Sequence, residues 1–453
     1  MPASTTKSAI NANATLLSSG KRLEDIVRAE EGLISRRIFA DPEVYNHEME
    51  RIFGRAWFFL GHESEIPEPG DLMTRPCGVD PAIVIRDDDG IVRAFLNSCR
   101  HRGMRVCRTD KDNARFLRCP YHGWAYRNDG SLVSVAAESH YGEGELDKDD
   151  LGLIPVAKLG MYHGLIFATW DPDAPSLEDW LGDLRWYLDI IFNRTGGVEV
   201  VGVPQIWDVE CSWKFATDNF TDNFHVFSTH QSLVQLGMLP NDPDFACHGH
   251  MVTVGDGHIL HFVQGEPGDE AMMGFGLPKD MWRLFDRHLD PAQAKIAREH
   301  GISAGTVWPN FHWLQLVSAG DMESASVGFL NLRMEMPLSP TRTRMYSWFL
   351  ADKAAPDDFK KTSYETYVRT FGPAGIFDQD DMENWEDCTA TALGPAAKKH
   401  AFHHKMGLNR PPASDWPGPG IGYADSYGEM TQRSWYRQWR EMMTAEANGK
   451  ERA

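Results

Sequence analysis

Two short loops, Cys99-Arg100-His101-Arg102-Gly103 and Cys119-Pro120-Tyr121-His122-Gly123, each carry one cysteine and one histidine, with 17 residues between His101 and Cys119. Four side chains that share one metal site must bring their loops together, so the pattern fixes a tertiary contact before any helix or strand is assigned. Two thiolates and two imidazoles admit two readings. Structural zinc usually takes both cysteines from one loop and both histidines from a helix. Here each loop mixes the two, which suits a [2Fe–2S] cluster with two thiolates on one iron and two imidazoles on the other. Replacing anionic sulfur by neutral nitrogen makes such a cluster easier to reduce. Gly103 and Gly123 follow the ligands where a tight turn calls for positive φ.

A cluster of that kind, the Rieske type, passes single electrons. The chain around it has 453 residues, more than one hydrophobic core usually organises. With 15 Trp, 23 Phe and 42% hydrophobic residues it can build sizeable cores. Its net charge of -20 opposes polyanions, which argues against nucleic acid or an acidic membrane surface as partner. No apolar run approaches the roughly 18–20 residues that span a bilayer. Residues 1–20 lack a signal-peptide core, so a cytoplasmic location is expected. Seven scattered cysteines do not read as a disulfide framework. Cys107, beside the loops, is expected to be a small buried thiol rather than a ligand.

Apolar residues at helical spacing predict helices over 22–36 and 43–54. From 81 to 170, strand-like runs at 82–85, 91–96 and 164–169 alternate with Asp/Gly turns, which puts both Cys/His loops on a small β domain. Asp171-Pro172-Asp173-Ala174-Pro175 punctuates the chain, and Ser176 with Asp179 forms a capping-box pattern for a helix over 177–192. Three segments follow: an N-terminal arm and helix over 1–39, the β domain over 40–170 and a larger domain over 171–453. In the last, strands near 198–210, 251–264, 307–317, 326–336 and 342–351 come in consecutive runs. Helices are expected near 213–230, 279–300, 357–371 and 431–445. The fold class is therefore α+β, with an antiparallel sheet packed by helices.

A second metal site is visible in Asp222-Asn223-Phe224-His225 and His230. At about 100° per residue, His230 lies some 140° round the helix from His225, so both can hold one ion only if the helix bulges or ends between them. Asp378, Asp380 and Asp381 could complete a 2-His-1-carboxylate triad, which leaves positions on Fe(II) open for O₂. The same acids also suit the first turn of a helix, where the macrodipole favours them.

The two Cys/His loops, the stretch Trp213-Lys214 through Asp218-Asn219-Phe220, Asp222, His225 and His230, and Phe371-Gly372-Pro373-Ala374-Gly375 with Asp380-Asp381 and Asn384-Trp385 together resemble one family. It is the large (alpha) subunits of Rieske non-haem iron aromatic-ring-hydroxylating dioxygenases, the naphthalene and biphenyl dioxygenase group. The resemblance runs over about residues 40 to 440. It implies a helix-grip (Bet v1-like) catalytic domain, with Cys99, His101, Cys119 and His122 as cluster ligands and His225, His230 and Asp381 on a mononuclear iron. Asp380 is the alternative to Asp381. Asp222 matches an acid that joins the two centres across a subunit boundary, and Asn219 a catalytic neighbour of the iron. Phe220, Phe371 and Phe377 match pocket positions. The family often has Glu and Tyr where this chain has Asp218 and Phe224, and neither change touches a ligand.

The resemblance also implies O₂ as co-substrate, a small beta subunit in an α₃β₃ assembly, and cis-dihydroxylation of a mono- or polycyclic aromatic hydrocarbon. Electrons would come from NADH through a separate reductase and a ferredoxin, since no Gly-rich dinucleotide fingerprint follows a strand here. A Rieske monooxygenase or demethylase, or a hydroxylase of carboxylated rings of the phthalate or salicylate type, would use the same metal sites. A plain electron-transfer protein would not need the residues beyond 171. Among other polar residues, Asn310 and His312 stand among aromatics and are expected to line the pocket. His248, His250, His258 and His261 are expected to fill ordinary core or surface roles, and His400, His403 and His404 a solvated basic patch.

Overall fold

A computed structural model describes residues 16–220, 222–239, 247–265 and 270–445. Residues 1–15 of the N-terminal arm lie outside that set. Among the described residues no helix is long and apolar enough to cross a membrane.

Residues 22–36 do not form the single helix expected. One turn, Leu23–Ile26, leads into a hairpin of Val27–Arg28 and Leu33–Ser35, and the second strand pairs with Ala401–His403. The cause sits at Gly32. Its φ is 64°, and a Cβ there would lie 2.3 Å from the carbonyl oxygen of His404, so only glycine lets the chain turn so close to that segment. The next helix, Pro42–Arg51, starts as anticipated, with proline in its first turn and Asp41 Oδ1 accepting from Glu43 N at 3.1 Å.

The region up to residue 169 is built from antiparallel strands. Val92–Leu96, Asp80–Arg86, Asp71–Cys77 and Lys111–Asn113 form a four-stranded sheet, and Leu132–Ser134, Ala125–Arg127 and Phe116–Arg118 a three-stranded one. The run at 82–85 is apolar throughout because it faces two cores. Ala82 and Val84 join the main core of the molecule, while Ile83 and Ile85 join a smaller core with Phe95, Trp124 and Tyr126 beneath the Cys/His loops.

Beyond residue 197 the frame is a nine-stranded antiparallel sheet. Across it the order is Val198–Val200, Arg342–Asp352, Val327–Ser339, Phe311–Ser318, His300–Val307, His258–Gln264, Gly249–Val254 and Ile421–Ala424, and Gln205–Val209 also pairs with Arg342–Asp352. Several expected elements subdivide. The run 251–264 is a hairpin turning at Asp256, and 198–210 is two strands. The helix expected over 279–300 is a 3-10 turn, a short helix and Pro291–Glu299, the last begun by Asp290 in a reciprocal cap with Gln293. Residues 300–307 are strand instead. Helices Asp357–Thr370, Ile376–Ala392 and Met430–Thr444 pack around the sheet, and Ile376–Ala392 carries Phe377 and Asp381 of the site.

Candidate active site

The two Cys/His loops are near copies. Cys99 N donates to Met104 O at 2.8 Å and Gly103 N to Cys99 O at 2.9 Å; Cys119 N donates to Trp124 O at 2.8 Å and Gly123 N to Cys119 O at 3.0 Å. Gly103 and Gly123 take φ of 73° and 74°, as tight turns demand. Asn97 braces the first loop from below by donating to Cys107 O at 2.7 Å and accepting from Cys107 N at 3.0 Å. Cys107 itself is buried beside Thr109 and stands apart from the four donors.

Those donors pair by type. Cys99 and Cys119 are buried, and burial pushes the Cys99 thiol up, with Cys119 beside it adding to the effect. Tyr126 OH stands 3.3 Å from Cys99 Sγ. The imidazoles of His101 and His122 lie with ring centroids 4.5 Å apart and reach toward the surface, His101 stacked on Trp124 at 5.1 Å. One tetrahedral zinc would hold all four ligand atoms about 3.3–3.8 Å apart. Among the described residues the single group of three or more donors converging within 4.8 Å is elsewhere, at His225, His230 and Asp381. Thiols paired on one side and imidazoles on the other fit a diiron cluster, not one zinc.

The second site forms where a helix stops. Residues 213–230 were expected as one helix, but Trp213–Asn219 ends at Phe220 and a single turn, Val226–Thr229, begins after His225. Asp222 causes the break: its Oδ1 accepts from Phe224 N at 3.0 Å and His225 N at 3.2 Å, offering the backbone a turn in place of the helix ladder. Asp222 and His225 therefore meet through a turn rather than along a helix face, with Oδ1 3.6 Å from His225 Nδ1. His225 and His230 bracket the one-turn helix and face each other.

Asp381, on helix Ile376–Ala392, completes the set. Its Oδ1 lies 3.6 Å from Nε2 of both histidines, is buried and accepts no hydrogen bond among the described residues. Three ligands at about 2.0–2.2 Å from one ion sit about 3.0–3.4 Å from each other, so the spacing fits a shared metal and is too long for hydrogen bonds. Asp380 points to the other side of His230, with Oδ2 3.3 Å from Nδ1, where it orients the ring. Burial works against charge on His225, yet Asp222 and Asp381 hold its imidazole up at about 9. Burial sends His230 down to about 3 and Asp381 up to about 7.

The sequence pattern of the Rieske [2Fe-2S] domain matches residues 56–151, and that of the ring hydroxylating alpha subunit catalytic domain matches residues 177–445. The chain belongs to the Rieske ring-hydroxylating alpha subunits. It is 34% identical to the biphenyl 2,3-dioxygenase alpha subunit of Rhodococcus jostii (strain RHA1), over 93% of this chain and 91% of that one. It is equally, 34%, identical to the N,N-dimethyl phenylurea N-demethylase alpha subunit of Sphingobium sp. (strain YBL2), over 90% and 91%. The solved naphthalene 1,2-dioxygenase of Rhodococcus sp., bound to indole, superposes with a TM-score of 0.91 at 43% identity, covering 96% of this chain and 99% of that one. A Rieske alpha subunit is an oxidoreductase that uses a [2Fe–2S] cluster and a mononuclear iron, and the two donor sets are suited to them.

In this alpha subunit a cavity of about 270 Å³ opens onto His225, His230 and Asp381. Asn219, Phe220, Phe371 and Phe377 all line it, the last two stacked with centroids 5.2 Å apart. Asn310 and His312 do not. Both are buried, and Phe220 stacks on the His312 ring at 4.6 Å. Asn310 donates to the backbone oxygen of Glu335 and His312 Nδ1 shares a hydrogen bond with Thr306, while the other ring nitrogen of His312 lies beside the Glu335 carboxylate, so both stiffen the wall instead of facing the cavity. Two further polar residues of the lining are Arg333, which the sequence pattern did not single out, and His261, expected to fill an ordinary core or surface role. Arg333 is clamped by Asp378, with Nη2 to Oδ2 at 2.6 Å, and packs under Phe220 and Phe371. His261 faces in from strand His258–Gln264. An arginine two residues from a glutamate in an otherwise apolar strand was the available signal for the first; the second gave none beyond strand alternation. His404, expected in a solvated patch, is buried against Asp218 at 3.2 Å, while His400 and His403 are exposed.

Proposed function

We propose that this alpha subunit is the terminal oxygenase component of a system that cis-dihydroxylates an uncharged mono- or polycyclic aromatic ring. The observation that carries the reading is the cavity, whose walls are largely apolar and whose polar pole gathers Asn219, His225, His230 and Asp381. Bound at these positions, a ferrous ion supplies O₂ activation and the cluster supplies single electrons.

The chain's own residues do the rest. His225, His230 and Asp381 would hold the ferrous ion where the cavity opens onto them. Asp380 fixes the ring of His230. Phe220, Phe371 and Phe377 offer flat apolar surface, so a planar ring binds by area burial and dispersion. Asp222 ties its own turn to His225 and stands ready to join the two centres between subunits. Cys99, His101, Cys119 and His122 hold the cluster with the imidazoles outermost, which suits electron exchange with a neighbouring molecule.

Alpha subunits of such dioxygenases work with a beta subunit, a ferredoxin and a reductase. For this chain the reading is an α₃β₃ oxygenase in which the cluster of one alpha subunit serves the iron of the next, supplied from NADH. The test is to reconstitute the oxygenase with ferredoxin and reductase, supply a panel of arenes under ¹⁸O₂ and identify products by mass spectrometry. A cis-diol with both oxygens labelled is the expected result. One labelled atom, or formaldehyde from an N-methyl substrate, would instead establish the second reading, demethylation or monooxygenation, which the N-demethylase relative favours.

A further inference from the structure

One wall of the cavity is formed by the large sheet. His261 and Val263 share one face of strand His258–Gln264 and line the cavity, while Leu260 and Phe262 on the other face join the main core. Across the sheet His261 pairs with Ala304, and Ala304 with Leu314. The row therefore reads imidazole, methyl, isobutyl, and the small Ala304 leaves the histidine ring free on its flank. His261 is 2% exposed, and its Nδ1 has no hydrogen-bond partner among the described residues. A buried, unpaired ring nitrogen in an otherwise apolar wall is costly unless something fills its hydrogen bond.

We propose that His261 is a specificity-determining residue that hydrogen-bonds an uncharged polar substituent of the aromatic substrate, such as a hydroxyl or ring N–H, and so chooses which edge of the ring meets the metal. The assignment rests on the reading of this cavity as the arene site. Charge narrows the substituent. Arg333 is the one Lys or Arg among the described lining residues, and both of its terminal nitrogens are taken by Asp378. A carboxylate at His261 would find no unmatched Lys or Arg among the described lining residues, whereas a neutral imidazole donates from one nitrogen and accepts at the other. Burial keeps His261 in that neutral form, down at about 3. Phthalate- or salicylate-type acids are accordingly poor candidates, and phenolic or N-heterocyclic arenes good ones.

The test uses the metal-loaded oxygenase with wild-type, His261→Phe and His261→Gln alpha subunits, and two arenes of matched shape, 2-naphthol and 2-methylnaphthalene. Dissociation constants are measured without reductant, so no turnover is needed. His261→Phe is expected to weaken 2-naphthol about fivefold and to leave 2-methylnaphthalene within about twofold, the worth of one neutral hydrogen bond. His261→Gln, which keeps a donor and an acceptor, should stay near wild type for both. An equal change for both arenes in His261→Phe overturns the assignment. Should that variant lose cooperative melting or the cluster spectrum, His261→Leu makes the same comparison under the same criterion. If binding shows this dependence but no arene is oxygenated, the functional reading fails while the role of His261 stands.

Discussion

His225, His230 and Asp381 each offer one atom to a metal, so their loss should separate the two centres. Asp381→Ala is expected to remove the mononuclear iron, about one of three irons per chain, while the visible spectrum of the cluster persists; loss of both together would refute independent sites. Treatment with a ferrous chelator should reproduce that result in the wild type, checked by iron and acid-labile sulfide analysis. Asp380→Ala leaves the three ligands in place but frees Nδ1 of His230, and iron affinity should fall about 10–100-fold in a chelator competition. The donors were legible because ligand chemistry belongs to residue type and short spacing. Asp381 over Asp380 was not. The choice comes from helix phase: Phe377, Asp381 and Trp385 recur every fourth position on the buried face of Ile376–Ala392, whereas Asp380 falls on the partly exposed flank.

Elements of the fold set the geometry those atoms need. The strand Val327–Ser339 and helix Ile376–Ala392 are joined by the Arg333–Asp378 pair, almost completely buried on both sides. Asp378→Ala leaves the guanidinium uncompensated and should cost about 3–5 kcal/mol in denaturant unfolding, whereas replacing both partners by well-packed apolar residues should recover most of it. Long helices with clear periodicity, such as Asp357–Thr370 and Met430–Thr444, follow from the sequence pattern. Two others show the limit. The break at Asp222 is chosen by a side chain that competes for backbone donors, which periodicity does not register. His300–Val307, poor in strong strand formers, is a strand because it pairs on both edges, with His258–Gln264 and Phe311–Ser318.

At the scale of the whole molecule, the N-terminal arm is clamped to the last helix by Glu30, which accepts from Arg440 Nη1 and Nη2 at 2.8 Å each. Hydrogen bonds from Arg440 hold the Glu30 carboxyl down at about 2, below its ordinary 4.5. A depressed carboxylate contributes stability above its unfolded-state value and loses it as pH falls through the folded one. Docking of the arm should therefore be constant above pH 4.5 and weaken toward about 2, seen as faster hydrogen exchange at residues 29–35, with the effect abolished in Glu30→Gln. The sequence by itself determined the two donor sets, their order along the chain and an α+β frame, because each follows from local spacing and alternation. The family resemblance named Asp381, and the tertiary structure brings it rather than Asp380 together with both histidines; the structure alone decided that His312 stacks against Phe220 instead of lining the cavity and that His261 lines it. Which face of an element meets which neighbour is settled by packing between segments far apart in the chain, and local pattern carries no record of it.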